Sequence, residues 1–342
     1  MLHRRSLGYE KDRVSCLALK RGYVESFSMD QVTIGASGLQ GSRLIYGCWR
    51  LARTWDPGAV TAKERAAGKK ALDAAIEAGF TVYDLADVYT QGIAEEIFGE
   101  WLQDNPGIRE RIIVITKGGI RLPCEPGPHD PYRYDFSGEY IRTAVDASLN
   151  RLHLETIDLY LLHRPDPLMA PAELASTFQS LQREGKVNNF GVSNFTVSQF
   201  TALNDALERT LCTNQIEVSL TNLERFNDGF LDYCLQHPVR PMAWSPLGGG
   251  ALLSEDRLNP AATKPAHIER IRHGLVKLAG ELDTQPATLA LSWLLKHPAG
   301  ILPIIGSTDP ERIRRLPEAL DLNLSREHWY TLFELALGSR LP

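Results

Sequence analysis

Asp84, Tyr89, Lys117 and His163 are the residues whose types and spacing suggest chemistry. In FTVYDLADVYTQGIAEEIFGEWL (80–102), Asp84 closes a short apolar run and Tyr89 follows five residues later, before an amphipathic segment. Lys117 directly follows IIVIT, and His163 closes DLYLLH. Taken singly, each has an ordinary use. An aspartate at a strand end caps helices, a tyrosine before a helix packs, and a lone histidine sits on a rim. Lys117 fits such a use least well, because an unpaired ammonium in a crowded, apolar place is costly. Neighbouring parallel strands lie ~4.8 Å apart, so Asp84 one strand away is within reach of it. A phenol has a reference pKa of ~10. An ammonium about 4 Å away favours its phenolate by up to ~4 kcal/mol at an effective dielectric of 20, which is ~3 pKa units as an upper bound. In this reading Asp84 holds Lys117 protonated, Lys117 tunes Tyr89 as an acid, and His163 donates a hydrogen bond to a carbonyl oxygen. Such a set suits carbonyl reduction, in which a hydride reaches carbon and a proton reaches oxygen. A rival use makes Lys117 a Schiff-base amine in a lyase or isomerase.

These residues require a scaffold that aligns strand ends. Eight apolar runs read as strands: RLIYG (43–47), TVYD (81–84), IIVIT (112–116), DLYLLH (158–163), NFGVS (189–193), NQIEV (214–218), PMAWS (241–245) and LPIIG (302–306). They are almost continuously apolar, as strands buried on both faces are. Between them lie segments of helical period. KERAAGKKALDAAIEAG (63–79) puts Ala67, Lys70, Ala71, Ala74, Ala75 and Ala78 near one face. Further helices are expected from Ser137, from Pro171 and from a Thr196 cap, over roughly 286–296, and over 325–337. Strand–helix alternation of this kind predicts a (β/α)₈ barrel. The competing doubly wound sheet would show a glycine-rich turn after its first strand, and YGCWRLARTWDPG has none. QVTIGASGLQGSRL (31–44) reads as a hairpin capping the barrel floor. A long non-repeating stretch, PLGGGALLSEDRLNPAATKPAHIERIRHG, follows the seventh strand, and such stretches are usually functional. In a barrel, chemistry collects where strands end. Ser193, Asn194, Gln215, Trp244, Ser245, Gly306 and Ser307 are the other candidates there.

The chain has 342 residues, 43% of them hydrophobic and 23% charged, with a net charge of −5. That composition suits a globular protein with a large core. With no basic tract, nucleic acid is not expected as a partner. Cys16, Cys48, Cys124, Cys212 and Cys234 are widely spaced and odd in number. No metal site or disulfide framework is expected, and reduced thiols suggest the cytoplasm. No run approaches the ~18 apolar residues of a membrane span. Residues 1–28 show no clear period and no apolar core of a secretion signal. They are expected to be a poorly ordered extension or the product of an upstream start codon, with a targeting or regulatory arm as the other possibility. Residues 29–342 are expected to form a single barrel domain. Nothing in the sequence specifies an oligomeric state.

On these motifs the chain resembles the aldo-keto reductases, NAD(P)H-dependent oxidoreductases built on a (β/α)₈ barrel. YDLADVY carries Asp84 and Tyr89, VITKGG carries Lys117 and LLHRPDP carries His163, in the order of the family's catalytic tetrad. The resemblance spans roughly residues 30–340, and HRPDPLM, KVNNFGVSNFT and RPMAWSPLGGG look like a bacterial, cytosolic branch. It implies that Ser193, Asn194 and Gln215 hold the nicotinamide carboxamide and that Trp244 stacks on the ring. It implies that Ser245, Leu247 and Gly248 form the loop over the pyrophosphate. Gly306, Ser307 and Arg312, in IIGSTDPERI, match the segment around the adenosine 2′-phosphate. A hydroxyl and an arginine fork suit that dianion.

Two departures stand out. Many NADPH-selective members carry a lysine where this chain has Gly306, and the usual Glu-Asn pair near the adenine is replaced by RIRRLPEAL. Arg314 and Arg315 either supply the missing positive charge, stack on adenine, or form a solvated face. NADPH is expected to be preferred, with NADH as the other coenzyme. The substrate is expected to be a small carbonyl compound. Trp49, Trp55, Tyr132 and Tyr134 are candidate walls for its pocket, and Arg50 and Arg164 candidate anchors for an anionic group. The short tail ALGSRLP predicts an open pocket. The resemblance leaves one alternative to a reductase of aldehydes or ketones: an NADPH-binding regulator with little turnover.

Overall fold

A computed structural model describes residues 29–257 and 265–342. The expectations for residues 1–28 lie outside the described residues. The chain enters through a hairpin, β1 (Gln31–Thr33) and β2 (Gln40–Ser42), paired antiparallel. Strands β3 (Ile45–Gly47), β4 (Val82–Asp84) and β5 (Ile113–Gly118) follow. A small ribbon, β6 (Ile120–Arg121) with β7 (Arg133–Tyr134), interrupts the alternation before β8 (Ile157–Leu162) and β9 (Val187–Ser193). The series ends with β10 (Thr213–Glu217), β11 (Arg240–Trp244) and β12 (Leu302–Ile305). Eight of these strands close a parallel barrel in the order β3-β4-β5-β8-β9-β10-β11-β12, with β12 returning to β3. This is the expected (β/α)₈ architecture.

The interior is apolar because alternate residues of each strand point inward. Ile45, Val82, Ile113, Ile115, Leu159, Leu161, Met242 and Leu302 pack there, and Ile34 from the turn of the entry hairpin joins them at the floor. The outward residues, among them Tyr46, Tyr83, Tyr160 and Val192, meet the helices. Helices α1 (Ala62–Glu77), α2 (Ile93–Asp104), α3 (Gly138–Leu152), α4 (Pro171–Arg183), α5 (Val197–Asn204) and α6 (Phe230–Gln236) connect successive strands. Thr61 and Thr196 close capping boxes on α1 and α5, and the Ser137 hydroxyl accepts from the Tyr140 amide to start α3.

Two details depart from the sequence reading. The buried face of α1 is Gly68, Ala71, Leu72, Ala74 and Ala75, whereas Lys70 is exposed and Ala67 only half-buried. In an alanine-rich helix many residues tolerate burial, so the period alone does not set the rotation. The stretch after β11 is also less irregular than it reads. Its second half forms α7 (Pro265–Glu281), which buries Ile268, Ile271, Arg272, Leu275, Leu278 and Ala279. That 3.6 period is present in IERIRHGLVKLAG but is diluted by charges. Helices α8 (Pro286–Leu295), α9 (Pro310–Arg315), α10 (Glu318–Asp321) and α11 (Arg326–Leu337) complete the fold. Among the described residues, no helix is long and apolar enough to cross a membrane, and no cluster of His, Cys, Asp and Glu could hold a metal ion.

Candidate active site

The barrel register brings Asp84 and Lys117 together. Asp84 pairs with Ile115 on β5, so Lys117, two residues further on, projects into the same interior space. Lys117 is 1% exposed and Asp84 3% exposed. The Lys117 Nζ donates to Asp84 Oδ2 at 2.9 Å, to the Leu85 carbonyl at 2.6 Å and to the Tyr89 hydroxyl at 2.9 Å. Three donors thus meet three acceptors, which satisfies a buried ammonium. The Leu85 carbonyl left no trace in the sequence reading, because a backbone acceptor carries no residue signature.

Tyr89 stands on the loop between β4 and α2. Its amide donates to the Ala86 carbonyl at 3.1 Å, and Thr90, Gln91 and Gly92 then take left-handed backbone angles, φ 48, 53 and 92. The Thr90 hydroxyl pins this turn to the Thr54 carbonyl at 2.7 Å. Such conformations cost energy for non-glycine residues and persist where surrounding structure over-determines them. The ring of Tyr89 meets His163 edge to face, with centroids 5.9 Å apart, and Lys117 Nζ lies 4.7 Å from its centroid. His163 lies one residue past β8, its amide donating to the Gly118 carbonyl at 2.9 Å. Its Nδ1 is buried without a hydrogen-bond partner.

The electrostatics correct one expectation. Burial raises the Tyr89 phenol above its ordinary value; Lys117 pulls it down and Asp84 pushes it up, and the net direction is upward. The ammonium alone would lower the phenol, but desolvation acts against the charged form and prevails. Burial likewise raises Asp84, with Lys117 and Gln215 opposing it. Burial works against the charge of Lys117, but Asp84 and Tyr89 outweigh it and hold the ammonium above its usual value. Burial, with Lys117 and Arg164 nearby, holds His163 well below the ordinary histidine value. The imidazole is therefore neutral at pH 7 and keeps one N–H to donate.

A cavity of about 820 Å³ opens over these groups. Asp84, Tyr89 and His163 are at its base, and Lys117 is buried beneath them. Ser193, Asn194, Gln215 and Trp244 border the same space. The Asn194 Nδ2 donates to Ser193 Oγ at 2.7 Å, and the Trp244 indole N–H donates to Asn194 Oδ1 at 2.9 Å. Asn194 and Ser245, just past β9 and β11, both have positive φ, 62 and 49. The Arg164 guanidinium lies 5.3 Å from the centre of the Trp244 ring.

The cavity continues past Ser245 and Leu247 to Gly306, Ser307, Arg312 and Arg315. Gly249 and Gly250 line it with φ 67 and 103, a turn that side chains would strain. Gly248, beside them, has φ 59, and a Cβ there would meet the Thr221 hydroxyl at 2.8 Å. Of the two arginines read at the far end, only Arg315 reaches the cavity, and it pairs with Glu318 at 3.0 Å. Arg314 is tied to Glu77 at 3.0 Å and to Glu311 at 2.9 Å. Trp49 and Arg50 also line the cavity, whereas among the described residues Trp55, Tyr132 and Tyr134 do not. Trp55 packs on Trp49 with ring centroids 5.0 Å apart, and Tyr132 on Tyr134 at 5.9 Å. Gln285, Pro286 and Thr288 at the start of α8 also border the cavity, a contribution no motif announced.

One cavity thus joins the Tyr89 phenol and the neutral His163 imidazole to a lining of mixed polar and apolar residues. The Aldo/keto reductase family model matches residues 43–336. The chain belongs to the aldo/keto reductase family. It is 40% identical over 315 residues to a 6-dehydroglucose reductase of Novosphingobium aromaticivorans, covering 90% of this chain and 96% of that protein. It is 38% identical to the uncharacterized oxidoreductase YcsN of Bacillus subtilis, covering 90% of this chain and 98% of the other. Among solved structures it is similar to an aldo/keto reductase from Klebsiella pneumoniae crystallised with NADP and acetate. That match has 26% identity and a TM-score of 0.71 over 90% of this chain and 95% of the other. As a family member the chain is an NAD(P)H-dependent oxidoreductase that acts on small carbonyl compounds.

Proposed function

We propose that the chain is an NADPH-dependent reductase of aldehydes or ketones in which Tyr89 is the general acid. The observation that carries this reading is the Lys117 ammonium, which donates at 2.9 Å to both Asp84 and Tyr89 below a cavity shared with His163. The donor set fits a nicotinamide dinucleotide. Amide and hydroxyl groups of Ser193, Asn194 and Gln215 lie at one end, glycine backbone runs along the middle, and Ser307 and Arg312 stand at the other end. When bound, the coenzyme supplies a hydride to the carbonyl carbon.

The chain's own residues do the rest. Neutral His163 donates an N–H to the carbonyl oxygen and orients it. Tyr89 gives its proton to that oxygen as negative charge develops there. The resulting phenolate is held by Lys117, whose third contact, the Leu85 carbonyl, fixes its direction. Asp84 keeps Lys117 charged throughout. In this reading Ser193, Asn194 and Gln215 grip the carboxamide and Trp244 borders the ring. Ser245, Leu247 and Gly248 shape the pyrophosphate loop. Gly306, Ser307 and Arg312 meet the adenosine end, and Arg312 favours NADPH over NADH because its exposed guanidinium, paired with Asp309 only through Nε at 3.4 Å, keeps its terminal N–H groups for a 2′-phosphate.

The first substrate panel should hold sugar aldehydes, because the Novosphingobium relative is named a 6-dehydroglucose reductase. It should also hold simple aldehydes, α-dicarbonyls and ketones. NADPH oxidation by the purified protein, with coenzyme binding measured in parallel, tests the proposal. Turnover that disappears in Tyr89→Phe supports it. Tight NADPH binding without turnover across the panel defeats it and favours a regulatory role.

A further inference from the structure

Gln215 makes a contact that coenzyme binding does not require. It is 2% exposed and sits on β10, four strands from β4 in the closed order and therefore across the barrel from it. Its Nε2 donates to Asp84 Oδ1, a hydrogen bond between residues 131 positions apart. The orientation of this amide is forced. An ionised carboxylate only accepts, so the nitrogen must face Asp84, and Oε1 remains as an acceptor. The Gln215 backbone carbonyl accepts from the Asn194 amide at 2.7 Å and from the Ser193 hydroxyl at 3.2 Å. One residue therefore joins the Ser193–Asn194 corner of the cavity to one oxygen of Asp84. The other Asp84 oxygen accepts from Lys117, which donates to Tyr89.

We infer that Gln215 is a positioning residue through which occupancy of the Ser193–Asn194 corner sets the acidity of Tyr89. The inference rests on the reductase reading only for the identity of the occupant, a carboxamide that donates to Gln215 Oε1. An amide that accepts at oxygen becomes a better donor at nitrogen. Stronger donation to Asp84 weakens the aspartate's hold on the Lys117 proton. More positive charge then remains beside the Tyr89 oxygen, and the phenol becomes more acidic when the corner is filled. The charged and titratable groups around Asp84 are Lys117 from β5, Tyr89 from the loop after β4 and Cys48 from the loop after β3. His163 and Arg164 act on the same cluster from the end of β8.

The test uses the full-length protein with ¹³Cγ-labelled aspartate, Asp84→Asn assigning the resonance, in wild type and Gln215→Met. Without the Gln215 donor, the Asp84 midpoint in the coenzyme-free protein should rise by about one pH unit, because hydrogen bonding to the charged form lowers a carboxyl pKa. The alkaline limb of turnover at saturating NADPH should rise with it. Gln215→Leu, which also lacks the donor and adds no charge beside Asp84, should do the same and serves if the methionine variant does not fold. Weaker NADPH binding with an unmoved Asp84 midpoint overturns the inference. So does an Asp84 midpoint that moves while the turnover limb stays in place. An Asp84 midpoint that moves in Gln215→Met, when the wild-type protein turns over no carbonyl, upholds the link to Asp84 and sinks the reductase reading.

Discussion

Replacing Lys117 with methionine separates what the buried pair does for stability from what it does for chemistry. The change removes the Nζ and keeps the length and most of the apolar stem. It leaves the Asp84 carboxylate with Gln215 as its side-chain donor, and it orphans the Leu85 carbonyl and the Tyr89 hydroxyl oxygen. Removing one partner of a buried ion pair costs about 3–5 kcal/mol. The low end, about 3 kcal/mol, applies here because Gln215 still serves one Asp84 oxygen. The cost must depend on pH. Without Lys117 the folded-state pKa of Asp84 rises further above its unfolded value. A raised acid destabilises the fold at pH above the unfolded value, and the penalty shrinks as pH falls through the folded value. The deficit should therefore shrink by up to about 1.4 kcal/mol per pH unit on acidification. Denaturant unfolding of wild type, Lys117→Met, Asp84→Asn and the double variant, at pH 8 and pH 5, measures it. The double variant should be more stable at pH 8 than Lys117→Met alone. Additive single effects with a deficit equal at both pH values would refute the argument that an unpaired carboxylate is the cause.

Four further outcomes follow from the site. Tyr89→Phe should lower turnover by about 10²–10⁴-fold while NADPH affinity stays within a few-fold, measured by steady-state kinetics and coenzyme titration. The pH profile of turnover should show no ionisation near 6.5, since burial holds His163 well below that value; a limb there that vanishes in His163→Gln would contradict this. Arg312→Ala should raise the KM for NADPH about tenfold and leave that for NADH nearly unchanged. Asp87→Asn should stabilise the fold at neutral pH. Burial and Glu95 push this carboxyl well up, so its ionised form opposes folding at pH above about 4, and unfolding midpoints at pH 5 and pH 8 should diverge from wild type as pH rises.

The parts legible in the chain are those that depend on local pattern. Buried strands announce themselves as apolar runs, and β8 through β12 fall within two residues of the expected limits. Asp84, Lys117 and His163 stood out because polar groups at the ends of such runs demand partners. Their register followed from the alternation of parallel strands. What stayed hidden depends on the third dimension. The amphipathic pattern of α7 was obscured by its charges, and the rotation of α1 by its abundant alanines. The rise of the Tyr89 pKa needed the extent of its burial, which no spacing conveys. That Arg314 turns to Glu77 while Arg315 reaches the cavity depends on the pitch of one short helix. The link from Gln215 to Asp84 joins residues 131 positions apart across the barrel interior. By itself the sequence determined which groups demand partners, since residue type and local hydrophobicity state the need. Only the closed barrel decided which partner each receives, because that depends on which side chains its closure brings face to face.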